Sequence, residues 1–414
     1  MRKKIKKPNG VIYFLVYILI YPILKIFFRL KVDRSGYKMP KGPFVVISNH
    51  VSFMDFLLVM LTFYPVRLNA VAAQKFFFYR PLNWLLPVMG CIKKNLFDAD
   101  IRSIIGIKTV LKQGGRALLF PEGRCTVHGT YMGIQKTTGD LLKNLGVPVV
   151  SCQIEGAYDC MPFWRKKKII LGRERVTLKN LFDTNELQIL PAEKINEKID
   201  VRLSGQLPPP KKPFGVFKAN RMTEGLENII YYCPECESEF TLETKGNIIR
   251  CNACGNEAKM DKYSNFEPIS PGAAVPKNVG EWYKKQILYE KRPLCENMEP
   301  IKVCVYVRMH IHPGKGIEKC GEGTLCLDMS GWRYTGSLRG EKTELFFPLN
   351  SVPALPFDPD DNFQIYSEGI FYAFTPSKNS KACAKYATIG ECMYWKFILP
   401  PDMTPGYDSG FCGE

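Results

Sequence analysis

The chain has 414 residues, enough for two or three domains. Its 46% apolar and 23% charged residues are typical of a globular protein with a buried core, which excludes collagen-like, fully disordered and polytopic membrane classes. The net charge of +17 lies entirely in residues 1–150, which hold 23 Lys and Arg against 6 Asp and Glu. Such a field attracts nucleic acid, anionic lipid or a phosphorylated substrate, without choosing among them.

The first hydrophobic segment, residues 11–24, carries no charge and lies between two basic flanks. At about 1.5 Å per residue it covers about 21 Å, less than the roughly 30 Å of a hydrocarbon core. We therefore expect residues 1–35 to associate with a membrane through an interfacial or re-entrant helix, with both ends on the cytoplasmic side. A tilted single span and a buried core helix are the alternatives.

From residue 43 to about 201 the pattern alternates strand and helix, beginning with a short β-branched run at 44–48. The pattern predicts strands at 44–48, 66–73, 116–120 and 147–154 and helices at 53–63, 101–112 and 134–145. This alternation indicates an α/β domain over residues 36–207, with a mostly parallel sheet flanked by helices. In such a sheet functional groups collect at the carboxyl ends of the strands.

The remaining chain divides by composition into three parts. Three consecutive prolines at 208–210 indicate a linker over 208–230, and a compact cysteine module follows at 231–262. Residues 263–414 contain short alternating runs with Gly and Pro turns, which indicate a small β-rich domain for a protein partner. The 15 cysteines, apart from the module's four, are scattered and fit a reducing cytosol.

His50 and Asp55 lie where the first predicted strand ends and a helix begins. Ser52 and Asp55 could form a capping box, but this interpretation leaves His50 unexplained. Alternatively, Asp55 can bond one imidazole nitrogen of His50, fix its tautomer and stabilise the imidazolium. Such a pair can remove a proton from an alcohol.

Glu122, Gly123 and Arg124 form a charged turn after the strand predicted at 116–120. The glycine lets the backbone approach a ligand closely, and the planar guanidinium suits phosphate. Glu122 could orient Arg124 or accept from substrate hydroxyls. A surface turn with a local ion pair is the alternative.

These two clusters together resemble the glycerolipid acyltransferases, in particular the 1-acylglycerol-3-phosphate acyltransferases. The resemblance rests on Asn49-His50-x-Ser52-x-x-Asp55 followed by Phe120-Pro121-Glu122-Gly123-Arg124, and covers about residues 10–205. It implies a fold of the glycerol-phosphate acyltransferase type. It also implies that His50 is the general base on the acceptor hydroxyl and that Asp55 orients it, while Glu122, Gly123 and Arg124 bind the acceptor's phosphate end.

One block departs from the family pattern, because Leu96 stands where an arginine is expected. Lys93 and Lys94 are the candidates for the missing charge, since lysine also binds phosphate as a point charge. Lys75 is a further candidate contact or a solvated lysine. Cys125 could act as a nucleophile, but no base accompanies it in the sequence.

Cys233, Cys236, Cys251 and Cys254 form two Cys-x-x-Cys pairs separated by 14 residues. This spacing predicts a structural Cys₄ zinc site, the zinc ribbon of the module at 231–262, because four thiolates close the coordination shell. The module is slightly acidic, which disfavours nucleic acid as a partner. His310 and His312 could hold a second metal, although a polar strand face is preferred.

These observations predict a membrane-associated acyltransferase on the cytoplasmic face of the cell membrane, where anionic lipid attracts its basic segment. It would move an acyl chain from an acyl-carrier protein or acyl-CoA to a lysophospholipid hydroxyl, most simply converting lysophosphatidate to phosphatidate. We expect structural zinc, no redox cofactor and no nucleic acid. The alternative is a membrane-tethered scaffold or regulatory protein that binds partners through the zinc ribbon and the β-domain.

Overall fold

The structure is a computed structural model that describes residues 5–95, 101–165, 169–205, 220–295, 299–312 and 314–399. These residues form two compact units. The first is built from the chain up to residue 205, apart from short segments at 95 and 164–165, and the second begins at residue 220. Leu96 and residues 208–219 of the predicted linker lie outside the described residues, and residues 220–230 belong to the second unit.

The first unit alternates strands and helices as predicted. Its elements are α1 (Gly10–Phe27), β1 (Lys31–Gly36), β2 (Phe44–Ser48), α2 (Asp55–Thr62), β3 (Asn69–Ala73), α3 (Leu82–Val88), β4 (Ile92–Lys94), α4 (Ile101–Lys112), β5 (Arg116–Leu119), α5 (Thr138–Leu145), β6 (Val149–Glu155), α6 (Ala157–Cys160), β7 (Arg175–Phe182), α7 (Thr184–Ile189) and α8 (Ala192–Leu203).

The seven strands form one sheet in the order β1-β7-β6-β2-β5-β3-β4. Strands β6, β2, β5, β3 and β4 run parallel, β7 runs antiparallel to β6, and β1 is parallel to β7. The predicted mostly parallel sheet flanked by helices is therefore confirmed. Val45 and Ile47 of β2 pack in one core with Ile107 of α4, Leu142 of α5 and Ile199 of α8.

The sheet begins earlier than residue 36, the first residue of the predicted α/β domain. Strand β1 pairs with β7 from Lys31 opposite Arg175 to Gly36 opposite Lys179. Most of its residues are exposed at the edge of the sheet. Their polarity resembles that of the basic flank of a membrane segment, and β1 lies mostly within the predicted segment 1–35.

Helix α1 packs one side against the sheet domain and exposes the other. The hydroxyl of Tyr13 donates to the carbonyl of Met60 at 2.9 Å, and the Tyr17 and Tyr64 rings stack at 4.0 Å. Its exposed large apolar residues are Val11, Phe14, Leu15, Ile18, Leu19, Ile23, Ile26 and Phe27. The buried-core alternative is therefore wrong. Within the described residues, α1 alone meets the length and composition of a membrane-crossing helix.

The second unit contains two antiparallel sheets and two long helices. Its elements are β8 (Leu242–Lys245), β9 (Ile248–Cys251), β10 (Glu257–Met260), β11 (Phe266–Pro268), α9 (Val279–Cys295), β12 (Ile301–Met309), β13 (Glu318–Asp328), β14 (Gly331–Leu338), β15 (Glu341–Pro348), β16 (Phe357–Asp358), β17 (Asn362–Ser367), β18 (Ile370–Pro376) and α10 (Cys383–Phe397). The sheet orders are β11-β10-β9-β8 and β15-β14-β13-β12-β18-β17-β16. The β-rich prediction is confirmed, but it missed α9 and α10.

Candidate functional site

The two charged turns meet at one edge of the first sheet. Strands β2 and β5 are parallel neighbours, so the turns that follow them leave the sheet side by side. The backbone N–H of His50 donates to Oε1 of Glu122 at 2.7 Å. In return, the N–H of Thr126 donates to the carbonyl of His50 at 2.9 Å. The structure thus brings both sequence clusters into direct contact.

The carboxylate of Asp55 bonds the imidazole ring of His50. Nδ1 of His50 lies 2.9 Å from Oδ2 of Asp55. The same oxygen accepts the N–H groups of Val51 at 2.6 Å and Ser52 at 2.8 Å. Because a carboxylate oxygen can only accept here, Nδ1 carries its proton and Nε2 presents a lone pair. The turn therefore selects the tautomer that a general base needs.

The capping interpretation accounts for part of this turn. Helix α2 begins at Asp55, but its N-cap residue is Met54, which makes no side-chain cap. Asp55 does accept the backbone N–H of Ser52, as the third residue of a capping box would accept its N-cap. It also bonds His50, so one carboxylate closes the turn and orients the imidazole.

Burial dominates the electrostatics of the two carboxyls. Asp55 is fully buried, and this desolvation raises its pKa, while hydrogen bonds from His50 and the backbone oppose the rise. Glu122 is also buried; desolvation, with repulsion from Asp55, raises its pKa to about 8. Its second oxygen, Oε2, accepts from the N–H of Met132 at 3.2 Å. Glu122 therefore braces two backbone segments of the site, a role that its sequence position did not reveal.

The ring of His50 is accessible on one side and supported on the other. Its side chain is 21% exposed. The Phe120 ring stacks against it with centroids 4.3 Å apart and planes inclined by 27°. This apolar support fixes the plane of the imidazole, and the rest of the ring stays partly open to solvent.

The phosphate-binding candidates lie along the same edge. Gly123 has a φ of +79°, a conformation that favours glycine, and Arg124 beside it is half-buried. Arg124 is close enough to Glu122 to oppose the rise in its pKa. Lys93 and Lys94 lie on β4, which is separated from β5 by β3. At about 4.8 Å per strand, this places them about 10 Å from β5.

Two further contacts of the site were missed by sequence reasoning. The side-chain amide of Asn49 donates to the carbonyl of Ile154 and accepts its N–H, at 2.9 and 2.7 Å, so it ties the end of β2 to β6. The hydroxyl of Tyr131 donates to Asp200 at 2.6 Å, which holds the loop after Arg124 against α8. Asn49 stands inside the first motif, whereas the Tyr131 pair spans 69 residues and left no local signal.

Cys125 is unsuited to nucleophilic attack. Burial raises its pKa well above the ordinary thiol value, and the charges of Asp55 and Glu122 raise it further. Lys75 opposes this rise, so its ammonium lies within electrostatic range of the site. A thiol that stays protonated is a poor nucleophile.

The four cysteines of the second unit have the geometry of a metal site. Their Sγ atoms all lie within 4.8 Å of one another. Cys233 and Cys254 are 3.7 Å apart, and Cys236 and Cys251 are 3.8 Å apart. A tetrahedron with Zn–S bonds of about 2.3 Å has sulfur–sulfur edges of about 3.8 Å. The donor set therefore fits zinc in a closed, structural site.

Local turns and hydroxyl groups support these sulfur atoms. The first pair is followed by Glu237 and the second by Gly255, with φ values of +57° and +79°, so both pairs end in the same kind of turn. The hydroxyls of Ser238 and Thr241 lie 3.1 and 3.2 Å from the sulfurs of Cys236 and Cys251. Such outer contacts orient metal ligands.

His310 and His312 follow the end of β12 and do not share a strand face. Nδ1 of His310 lies 2.8 Å from the carbonyl of Gly316, and Nδ1 of His312 lies 2.6 Å from Glu318. Among the described residues, the four cysteines are the only group with metal-binding geometry. Local polar contacts explain both histidines.

Comparisons with known proteins identify the two modules. Residues 29–155 match the family model "Acyltransferase". Residues 226–256 match a zinc-ribbon model described as "DNA directed RNA polymerase, 7 kDa subunit". The predicted resemblance to the acyltransferases and the predicted ribbon are thereby confirmed.

Individual relatives are 1-acyl-sn-glycerol-3-phosphate acyltransferases. One from Chlamydomonas reinhardtii is 21% identical over 43% of this chain and 52% of its own length. The alpha enzyme of Homo sapiens is 28% identical over 34% of this chain and 49% of its own length. The chain thus spans about half the length of the relatives it matches. The solved structure of PlsC, the lysophosphatidate acyltransferase of Thermotoga maritima, is 18% identical to this chain and has a TM-score of 0.34. The match covers 47% of this chain and 96% of the PlsC chain.

Proposed function

We propose that the protein transfers an acyl chain from a thioester to the free hydroxyl of a lysophospholipid, with lysophosphatidate as the acceptor and phosphatidate as the product. The observation that carries this proposal is the 2.9 Å contact between Nδ1 of His50 and Asp55, in a site that also contains Glu122 and Arg124. Acyltransferase relatives of this acceptor class support it.

His50 acts as the general base. Nε2 takes the proton of the acceptor hydroxyl while that oxygen attacks the thioester carbonyl. The new C–O bond forms, the C–S bond breaks, and the imidazolium returns its proton to the leaving thiolate. Asp55 stabilises the imidazolium while it is charged. The raised pKa of the Cys125 thiol favours direct transfer without an acyl-enzyme.

The acceptor's phosphate is held by the cationic edge of the sheet. Arg124 offers two parallel N–H donors to the phosphate oxygens. Lys75 lies within electrostatic range of the same site, and Lys93 and Lys94 extend the positive edge. Glu122 takes no part in the proton transfer. It keeps the two turns in register through the N–H groups of His50 and Met132.

The apolar side of α1 supports a position of this site at a membrane. Its eight exposed large apolar residues form a surface that water solvates poorly and that a bilayer can bury. The helix of 18 residues is about 27 Å long at 1.5 Å per residue, a little short of the hydrocarbon core. We favour an interfacial position on the cytoplasmic leaflet, where the lysophospholipid resides. The zinc of the ribbon is structural, and residues 263–414 bind a protein partner.

The decisive experiment uses purified protein, labelled acyl-CoA and acyl-carrier protein donors, and a panel of lysophospholipids, with products identified by mass. We expect phosphatidate from lysophosphatidate and little product from acceptors without a phosphate monoester. Product from a lysophospholipid with another head group would change the assigned acceptor but not the proposed reaction. Activity on no acceptor with either donor would favour the scaffold interpretation.

A further inference from the structure

A concave surface lies at the end of the sheet opposite to His50. It is a hollow of about 270 Å³ whose lining includes Lys7, Arg67, Asn69, Gly114, Gly115 and Arg116. Arg116 is the first residue of β5, whereas Glu122 follows the last. At about 3.3 Å per residue, the three steps from Arg116 to Leu119 put the two ends of β5 about 10 Å apart. The hollow and the His50 site therefore lie at opposite ends of this strand, and none of the lining residues of the hollow belongs to the two charged turns.

The hollow, called here the basal hollow, has a single sign of charge. Three cationic side chains line it, and none of its lining residues is acidic. Nη1 of Arg67 donates to the carbonyl of Pro8 at 2.6 Å, which fixes this guanidinium in place. The guanidinium of Arg116 lies 5.8 Å from the Phe44 ring, and within the described chain its buried Nε has no hydrogen-bond partner. Three cations with no acidic residue in the lining attract an anion.

The basal hollow lies beside the start of α1. Lys7 and Pro8 line it, and α1 begins two residues later at Gly10. The start of the helix is fixed, because the N–H of Asn9 donates to the carbonyl of Val88 and its side chain caps the first turn. Val11, the second residue of α1, is 68% exposed and is the first of the exposed apolar residues of this helix. A ligand with an anionic head and apolar chains matches both surfaces together.

We propose that the basal hollow binds the phosphate head group of an anionic membrane phospholipid, whose acyl chains lie along the exposed face of α1. The volume lies below the roughly 300–1,000 Å³ of drug-sized ligand sites, so it suits a head group rather than a whole lipid. This lipid is separate from the acyl acceptor at His50. The inference rests on the membrane association proposed above and not on acyl transfer.

The test compares two double variants of the full chain in vesicle sedimentation. Lys7→Gln with Arg116→Gln removes two cations from the basal hollow. Lys6→Gln with Lys112→Gln removes two exposed cations outside its lining and is the matched control. Each lost cation near an anionic bilayer weakens binding by about fivefold, and this general effect is common to both. On vesicles of phosphatidylcholine with phosphatidylglycerol, we expect the first variant to lose at least tenfold more affinity than the control.

Equal losses in the two variants would overturn the proposal, since they would reflect the general field alone. Release from vesicles by millimolar glycerol 3-phosphate would show that a free phosphate ester is the ligand and would overturn the lipid assignment. Lys7→Gln alone, an exposed position, repeats the comparison with Lys6→Gln if the Arg116 variant does not fold. Turnover of a micellar substrate should be the same in all variants. If the wild-type protein binds no vesicles, the membrane association itself fails.

Discussion

Replacing Asp55 with Asn removes a charge but little volume. Oδ2 of Asp55 accepts from His50 Nδ1 and from two backbone N–H groups, and the asparagine oxygen can replace it. The amide nitrogen then occupies the place of Oδ1, which is buried and has no partner within the described chain. An unsatisfied buried donor costs about 1–3 kcal/mol of stability. We therefore expect Asp55→Asn to fold with a lower melting temperature.

The effect on catalysis follows from the distance. Two unit charges 2.9 Å apart interact by about 6 kcal/mol at an effective dielectric constant of 20. Because the His50 side chain is 21% exposed, solvent screens part of this, and we take about 4 kcal/mol. At about 1.4 kcal/mol per factor of ten, the stabilisation of the imidazolium lost in Asp55→Asn corresponds to a rate about a thousandfold lower.

The assay is single-turnover formation of phosphatidate at saturating lysophosphatidate, with the folded fraction measured by thermal unfolding. Asp140→Asn, a substitution of the same kind at an exposed position in α5, is the matched control and should keep wild-type turnover. A folded Asp55→Asn protein whose rate falls by less than tenfold would refute the proposed His50–Asp55 pair as the base.

Three other outcomes are expected. Arg124→Ala should raise the KM for lysophosphatidate by roughly ten- to a hundredfold, since a hydrogen bond to a charged group contributes about 1.5–3 kcal/mol. Arg124→Lys should have an intermediate KM. An equal rise in KM for a neutral acceptor would contradict the role of Arg124 in binding phosphate. The raised pKa of Glu122, about 8, means that the folded state holds its proton more tightly than the unfolded chain. Its contribution to stability is therefore complete below about pH 4.5 and lost as the pH rises through about 8, by about 1.4 kcal/mol per unit. Urea unfolding should show a smaller loss between pH 5 and 8 in Glu122→Gln than in wild type; identical slopes would contradict this. Cys251→Ser should abolish binding of one zinc per chain, measured by metal analysis, whereas Cys326→Ser, outside the cluster, should retain it.

The strands and the contact between the two motifs could be predicted because they depend on local patterns. Strand β5 was predicted to within one residue, since a short apolar, leucine-rich run ends at a proline turn. Parallel neighbours then bring their carboxyl ends together, which places His50 beside Glu122. The predicted start of α5 at 134 was four residues early. Ile134 bonds Asp200 and Gln135 bonds Pro121 instead of entering the helix, and such distant partners leave no periodicity in the sequence.

Side-chain roles within the site were less accessible from the sequence. A carboxylate in a Glu-Gly-Arg turn suggests a ligand or ion pair, yet Glu122 is buried and accepts two backbone N–H groups. Burial depends on the packing of the whole sheet domain. The zinc site was predictable because the spacing of two Cys-x-x-Cys pairs nearly determines the tetrahedral arrangement of their sulfur atoms.

The central claim is that the imidazole of His50 removes the proton from a lipid hydroxyl. The most direct test is the rate of phosphatidate formation by His50→Ala, with product identified by mass and folding checked by thermal unfolding. General-base catalysis typically contributes about a hundred- to ten-thousandfold, so the account predicts a folded protein with a rate at least a hundredfold lower. A folded His50→Ala protein with near wild-type turnover would contradict it.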